Sequence, residues 1–486
     1  MDFIPRSDMG MKRLFALVAL AAAVSLWSAE ADGDLLIGPR LDSTAADIPG
    51  FMALRAKLKH ADFTQVQAAA QELAASRNAR ALRPLWELFN EGDAQRRLLA
   101  VRCVGRLGVP GEESNLLSVA LREPFQAIRL SAADELARLE TADKAAARLA
   151  KAAEDKDTAP LCRMRALQAL SQVKGKVAAE CLKAWLTSTQ QEMAVAAAEG
   201  LGRLGDPAHA DALVAALHTE DPEVKPAIAE ALAMLTGQNH RYDLVAWSQW
   251  LKERQAAANP AADNAASAPF QEVGTRRDND TTWDVVIVFD TTGSMLNIWP
   301  QLNAALDAVL VELIKQAPGL RMGTVRYRAA IPELSLKYLV KARSLSRGHA
   351  ETIEDMKDAA FGGESGGLHL GLGYAIRNMP WRVTARKMIV LVGDTSPPAS
   401  GIRACAQAIR EMWQADGIQA NVVYVRSSHG SEHAATYRDL AKVGPGHYYE
   451  FDKAERRLMA RGDEKADAKE FEAPGAIAAK WLTIRR

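Results

Sequence analysis

Six stretches in the first half of the chain are copies of one another. Leu73, Val104, Leu136, Leu170, Leu201 and Leu232 hold the same place in them, at intervals of 31, 32, 34, 31 and 31 residues. A fixed period of this size restricts the fold more than any single motif does. Each copy is too short to bury its own apolar face, so the copies must stack into a solenoid. A plain helical bundle needs no such period. The chain has 486 residues, and at about 150 residues per domain this first half leaves room for at least one further unit.

The copies read as helix pairs. The stretches EMAVAAAEGLGRLG (residues 192–205), AIRLSAADELARLE (127–140) and EVKPAIAEALAMLTG (223–237) place small residues and leucines at helical spacing, which suits close helix packing. Second helices such as HADALVAALH (209–218) lie between them. Turns of the GDP and EDP kind separate the helices, where Pro207 and Pro222 cannot continue one. The unit is an antiparallel pair, and the pattern resembles the short bacterial class of HEAT repeat, with LGDPAHADALVAAL as the nearest stretch. The resemblance covers about six repeats over residues 50–255. It implies an all-α solenoid whose continuous ridged surface receives protein partners. Trp247 and Trp250 are expected to close the last repeat.

Lys12 and Arg13 precede a short apolar run at residues 14–27, and Ala29-Glu30-Ala31 follows as a small-x-small site. That order reads as a signal peptide over residues 1–31, with Met9 and Met11 as other candidate starts. The run is shorter than the ~20 residues of a spanning helix, so the mature chain is expected to be exported, periplasmic or extracellular, with no membrane span. Cys103, Cys162, Cys181 and Cys405 are too scattered for a disulfide framework. Sixty basic residues balance sixty acidic ones, and no dense Lys/Arg stripe supplies the footprint of a nucleic-acid binder. Residues 256–280, rich in Ala, Asn and Asp with Pro260 and Pro269, read as a linker.

The second half has a different rhythm. Apolar runs at WDVVIVF (283–289), RMGTVRY (321–327), KMIVLV (387–392) and ANVVYV (420–425) alternate with helical patterns. The stretch LSLKYLV (334–340) reads as a hairpin edge strand. Alternation of this kind predicts a doubly wound, Rossmann-like α/β domain with a mostly parallel sheet. Ligands of such sheets bind beyond the carboxyl ends of the strands, where the strand order reverses. Two polar loops, DTTGS (290–294) and GDTSPP (393–398), sit at predicted strand ends.

Asp290-Thr291-Thr292-Gly293-Ser294 matches the Asp-x-Ser/Thr-x-Ser metal motif of the von Willebrand factor type A (VWFA) domain. The resemblance runs over residues 281–455 and takes in MGTVRYR after the first helix, GGESGG (362–367) as a second metal loop, VLVGDTSPP as a third, and YRDLAKVGPGHYYEF near its end. It implies a metal-ion-dependent adhesion site that holds Mg2+ (or Mn2+/Ca2+). In that family Thr292 and Ser294 would bind the ion directly, while Asp290 and Asp394 would act through bound water. Hard cations favour such oxygen donors. An open coordination position would accept an acidic residue of a protein partner. The second loop departs from the usual pattern, with Glu364 where many members carry Thr and Ser365 next to it. Either Ser365 supplies the hydroxyl or Glu364 ligates directly and weakens the pull on an acidic partner.

Three other chemistries compete. Gly363-Glu364-Ser365-Gly366-Gly367 spells Gly-x-Ser-x-Gly, with Asp394 and then His429, His433 or His447 in hydrolase order, so a secreted serine hydrolase using Ser365 is the alternative function. Against it, a nucleophile elbow must follow a strand, and ETIEDMKDAAF (351–361) reads as helix. His429-Gly430-Ser431-Glu432-His433 fits an inverted zinc-protease pattern, yet Gly430 and Ser431 read as a loop and helix start. Asp290 as a phosphate-accepting nucleophile lacks the second Asp, because Thr292 stands there. Arg461-Gly462-Asp463 lies in a charged C-terminal tail, residues 456–486, and reads as a solvated helix face, while the terminal AIAAKWLTIRR (476–486) has the pattern to pack back as a helix or strand. The sequence thus predicts a non-catalytic exported binding protein. It does not specify partner, metal or oligomeric state.

Overall fold

The computed structural model describes residues 48–258, 282–317, 319–328, 340–362, 366–426, 432–460 and 470–483. The signal-peptide stretch, most of the linker, most of the 334–340 stretch, Glu364, Ser365, His429 and the Arg461-Gly462-Asp463 tripeptide lie outside the described residues.

Inner helices Phe63–Ala75, Ala94–Leu107, Gln126–Leu139, Pro160–Leu170, Gln191–Leu204 and Val224–Thr236 stack in sequence order. Outer helices Leu82–Glu91, Glu113–Arg122, Ala142–Glu154, Lys176–Trp185, Ala210–Ala216 and Leu244–Ala258 alternate with them. All six residues that mark the period are buried, at 0–1% exposure, so the repeat in sequence is a repeat of core contacts. Gly202 shows why small residues recur: a Cβ there would sit 3.0 Å from the Cα of Ala231 on the next inner helix. At the end of the stack Trp247 is fully buried, donates to the Arg241 carbonyl at 3.0 Å and meets His240 and Trp250 edge-on.

The second domain is a mixed sheet of strands β1 (Trp283–Asp290), β2 (Arg321–Tyr327), β3 (Val340–Ser346), β4 (Arg386–Gly393), β5 (Ile418–Val425), β6 (Tyr448–Asp452), β7 (Arg457–Ala460) and β8 (Glu470–Phe471). Among the described residues their order is β3-β2-β1-β4-β5-β6-β7-β8. Strands β1, β2, β4, β5 and β6 run parallel, while β3, β7 and β8 pair antiparallel at the two edges. At this edge the described strand is β3, antiparallel to β2; of the predicted 334–340 strand only Val340 lies among the described residues.

Strand alternation sorts the core. Val285, Ile287 and Phe289 face helices Trp299–Gln316 and Pro474–Trp481, whereas Val286 and Val288 share a second cluster with helices Leu368–Asn378 and Ala399–Asp416. That second cluster is continuous with the solenoid core. The charged tail expected at 456–486 is corrected here: β7, β8 and the Pro474–Trp481 helix belong to the domain, with Ile477, Ala478 and Trp481 at 0–2% exposure. Apolar residues spaced for one helical face outweighed the charged run in front of them.

Part of the surface that the repeats were expected to offer to partners is used within the chain. Asp416, ending helix Ala399–Asp416, accepts from the backbone N–H groups of Gln126 (2.8 Å) and Ala127 (2.7 Å), and so caps a repeat helix that has no side-chain cap of its own. Gln168 donates to the Trp381 carbonyl at 2.9 Å, and Arg97 pairs with Glu411 at 3.3 Å. Glu192, Glu199, Glu223 and Glu230 stand at matching places in the last two repeats, one pair per inner helix and two turns apart. Glu230 pairs with Arg347 at 2.7 Å and Arg382 at 3.5 Å, Glu223 accepts from the Arg347 backbone N–H, and Glu192 meets Ser344 at 3.5 Å. These contacts lie at the amino ends of β1, β2 and β4.

Candidate metal centre at the sheet's carboxyl edge

The strand order reverses between β2-β1 and β4-β5, because β1 sends its chain outward to β2 while β4 continues on its other side. The crevice beyond the carboxyl ends of β1 and β4 is the ligand position of such a sheet. Asp290 ends β1, and Asp394 follows directly on β4; both are fully buried. Burying two facing carboxylates is costly unless something answers their charge. Burial, and then the nearby Asp394, push the Asp290 carboxyl up to about 7.

The loop after β1 is shaped by its own hydrogen bonds. Asp290 Oδ1 accepts from the Thr292 N–H at 2.8 Å, and the chain then enters a short 3-10 turn, Gly293–Met295. Thr292 Oγ1 and Ser294 Oγ lie 3.0 Å apart on the same side of that turn. Thr291 points the other way: its N–H and hydroxyl both donate to the Tyr327 carbonyl at the end of β2, each at 3.0 Å. Its carbonyl accepts from the Gly362 N–H at 2.9 Å, which brings the second loop against the first. The structure therefore unites Asp290, Thr292, Ser294 and Asp394 at one crevice and anchors the entrance to the second loop beside them.

Asp394 is the telling residue. Among the described residues neither of its carboxylate oxygens has a hydrogen-bond partner, although both are buried. Thr395 reaches Asp290 Oδ2 only at 3.5 Å. A buried carboxylate without donors, beside a second carboxylate and a pair of hydroxyls, is a donor set that fits a hard divalent cation. Among the described residues no three His, Cys, Asp or Glu side chains cluster as they would for a transition metal.

Supporting residues hold the third loop, and of these Tyr437 and Tyr327 were not singled out in the sequence. Tyr437 donates to the Thr395 carbonyl at 3.0 Å, and His433 Nδ1 accepts from the Ser396 N–H at 3.2 Å, so helix Glu432–Val443 fixes the third loop. This is where His433 of the zinc-like pattern goes. A Cβ at Gly393 would meet the Tyr437 hydroxyl at 2.3 Å and that of Tyr327 at 2.6 Å, so glycine is required just before Asp394. The glycine preceding the third-loop aspartate was the available signal. Ahead of Ser365 the structure has helix His349–Lys357 and then, over the described residues 358–362, chain that is neither helix nor strand, so no strand of a nucleophile elbow stands there.

With the two architectures in place, comparison with known proteins follows the same division. Residues 182–259 match the family model of HEAT repeats. Three of the solved structures similar to the chain are two von Willebrand factor type A proteins and a pilus adhesin. The SpRpn10 VWA domain is 12% identical, with a TM-score of 0.27, over 33% of this chain and 82% of its own. A von Willebrand factor type A protein from Catenulispora acidiphila is 18% identical, with a TM-score of 0.28, over 36% of this chain and 40% of its own. The pilus adhesin SpaC from Lactobacillus rhamnosus GG, in its open conformation, is 14% identical, with a TM-score of 0.29, over 37% of this chain and 29% of its own. The chain thus spans less than half the length of the latter two. A search of curated proteins finds no match. Among the described residues no helix is long and apolar enough to cross a membrane.

Proposed function

We propose that the protein is a non-catalytic, exported interaction scaffold that takes a protein partner through a divalent cation, Mg2+ or else Mn2+ or Ca2+, in its α/β domain. The observation that carries this reading is the pair of buried carboxylates at the switch point, with both oxygens of Asp394 left without donors. Thr292 and Ser294 would bind the ion directly, Asp290 and Asp394 would hold its waters, and Glu364 or Ser365 would complete the set from the second loop. The cation would supply an electrophilic position that an acidic residue of the partner could fill. HEAT repeats beside a VWFA-like fold support a binding role, since neither architecture brings chemistry of its own.

Calorimetric titration of the full chain with Mg2+ and Mn2+ tests this. Saturable binding is expected in the wild type. It should be lost in Asp290→Ala and Asp394→Ala and weakened at least tenfold in Thr292→Ala. A wild type without saturable binding refutes the reading.

A further inference from the structure

The seam between solenoid and α/β domain contains a carboxylate unlike the others. Glu230 has two guanidinium partners, but among the described residues Glu199 has no cation within ion-pair distance. Its oxygens accept only long hydrogen bonds, from the Val383 N–H at 3.4 Å and the Thr384 hydroxyl at 3.5 Å. The nearest guanidinium, that of Arg382, is committed elsewhere: its Nε to Asp284, its Nη2 to the Trp283 and Gly319 carbonyls, and its Nη1 to Glu230. The other charges facing Glu199 are Arg321 with its partner Asp284, Lys387 from β4, and Arg203 on its own helix. Glu199 is 6% exposed, and both of its hydrogen-bond donors, Val383 and Thr384, belong to the α/β domain.

We propose that docking of the α/β domain on the solenoid takes up a proton at Glu199, so that the seam is tight in mildly acidic medium and loosens as the medium passes through neutral into alkali. Removing a carboxylate from water without an ion pair favours its neutral form, which can also donate a hydrogen bond. Consistent with this geometry, burial raises the Glu199 carboxyl to about 7, with Arg382 and Arg321 opposing. When the seam opens, Glu199 returns to water and to an ordinary acidic carboxyl. The docked state therefore binds the extra proton between those two values, and the stabilisation is lost as pH rises through the docked one. The neighbouring seam groups sharpen the contrast. Among the described residues single buried side-chain atoms of Arg97, Gln168, Glu223 and Arg347 lack hydrogen-bond partners, which fits a separable contact better than a permanent core.

Amide hydrogen exchange of the full chain, corrected for intrinsic rates, reads this directly. Protection of residues 381–386 and of the 191–204 helix is expected to fall about tenfold from pH 6 to pH 8.5 in the wild type. Glu199→Gln, an analogue of the neutral acid, should keep the pH 6 level at both values. Wild-type protection that is flat across this range overturns the proposal on its own, whether or not the variant folds. So does a Glu199→Gln protein that keeps the tenfold fall.

Discussion

Asp284 and Asp290 stand at opposite ends of one strand and meet opposite fates. Asp284 takes Arg321 in a two-pronged pair at 3.0 and 2.9 Å, and the backbone N–H and Nε of Arg382 at 2.7 and 2.9 Å. Burial alone would raise its carboxyl, yet the two guanidiniums hold it far below the usual range. Its contribution to stability is therefore complete above an ordinary carboxyl pKa and lost only in strong acid. Asp284→Asn leaves two buried cations with a neutral partner. It should lower the unfolding free energy by about 3–5 kcal/mol, read from the denaturant midpoint. Asp290 has no guanidinium partner; it accepts from the Thr292 N–H at 2.8 Å and from the Thr395 hydroxyl at 3.5 Å. The sequence distinguished the two only in part. The Asp-x-Thr-x-Ser spacing marked Asp290, whereas nothing local marked Asp284, whose partners lie 37 and 98 residues away.

At the scale of elements, the inner helices were legible because their apolar residues follow one helical period, and the central strands because they are continuous apolar runs that the structure buries along their whole length. The edges were less so. The β3 boundary and the terminal hairpin with its helix depend on tertiary pairing that overrides local charge. The acidic ladder was written at fixed repeat positions, yet its role needed the second domain in view. Two helix and loop junctions carry predictions. Asp416→Ala removes the cap of helix Gln126–Leu139, and should cost about 0.5–2 kcal/mol and speed amide exchange in the first turn of that helix. Gly393→Ala forces the third loop away from Tyr437 and Tyr327 and should weaken Mn2+ binding at least tenfold, with the circular dichroism spectrum unchanged.

At the scale of the molecule, the solenoid grips the α/β domain at the pole opposite the candidate metal centre, which leaves that centre facing away from the repeats. Glu230→Arg would put a third cation beside Arg347 and Arg382 and should open the seam. An increased radius of gyration in small-angle scattering is the expected sign, and an unchanged radius would show that apolar contacts alone hold the domains. The shared cap also sets an order of assembly. Gln126 and Asp416 are 290 residues apart, so at ~5–20 residues per second a ribosome delivers the cap roughly 15–60 s after the helix it closes. The repeats must hold their shape through that interval with their acidic face in water. Joining the two domains can therefore be completed only after nearly the whole chain has been made.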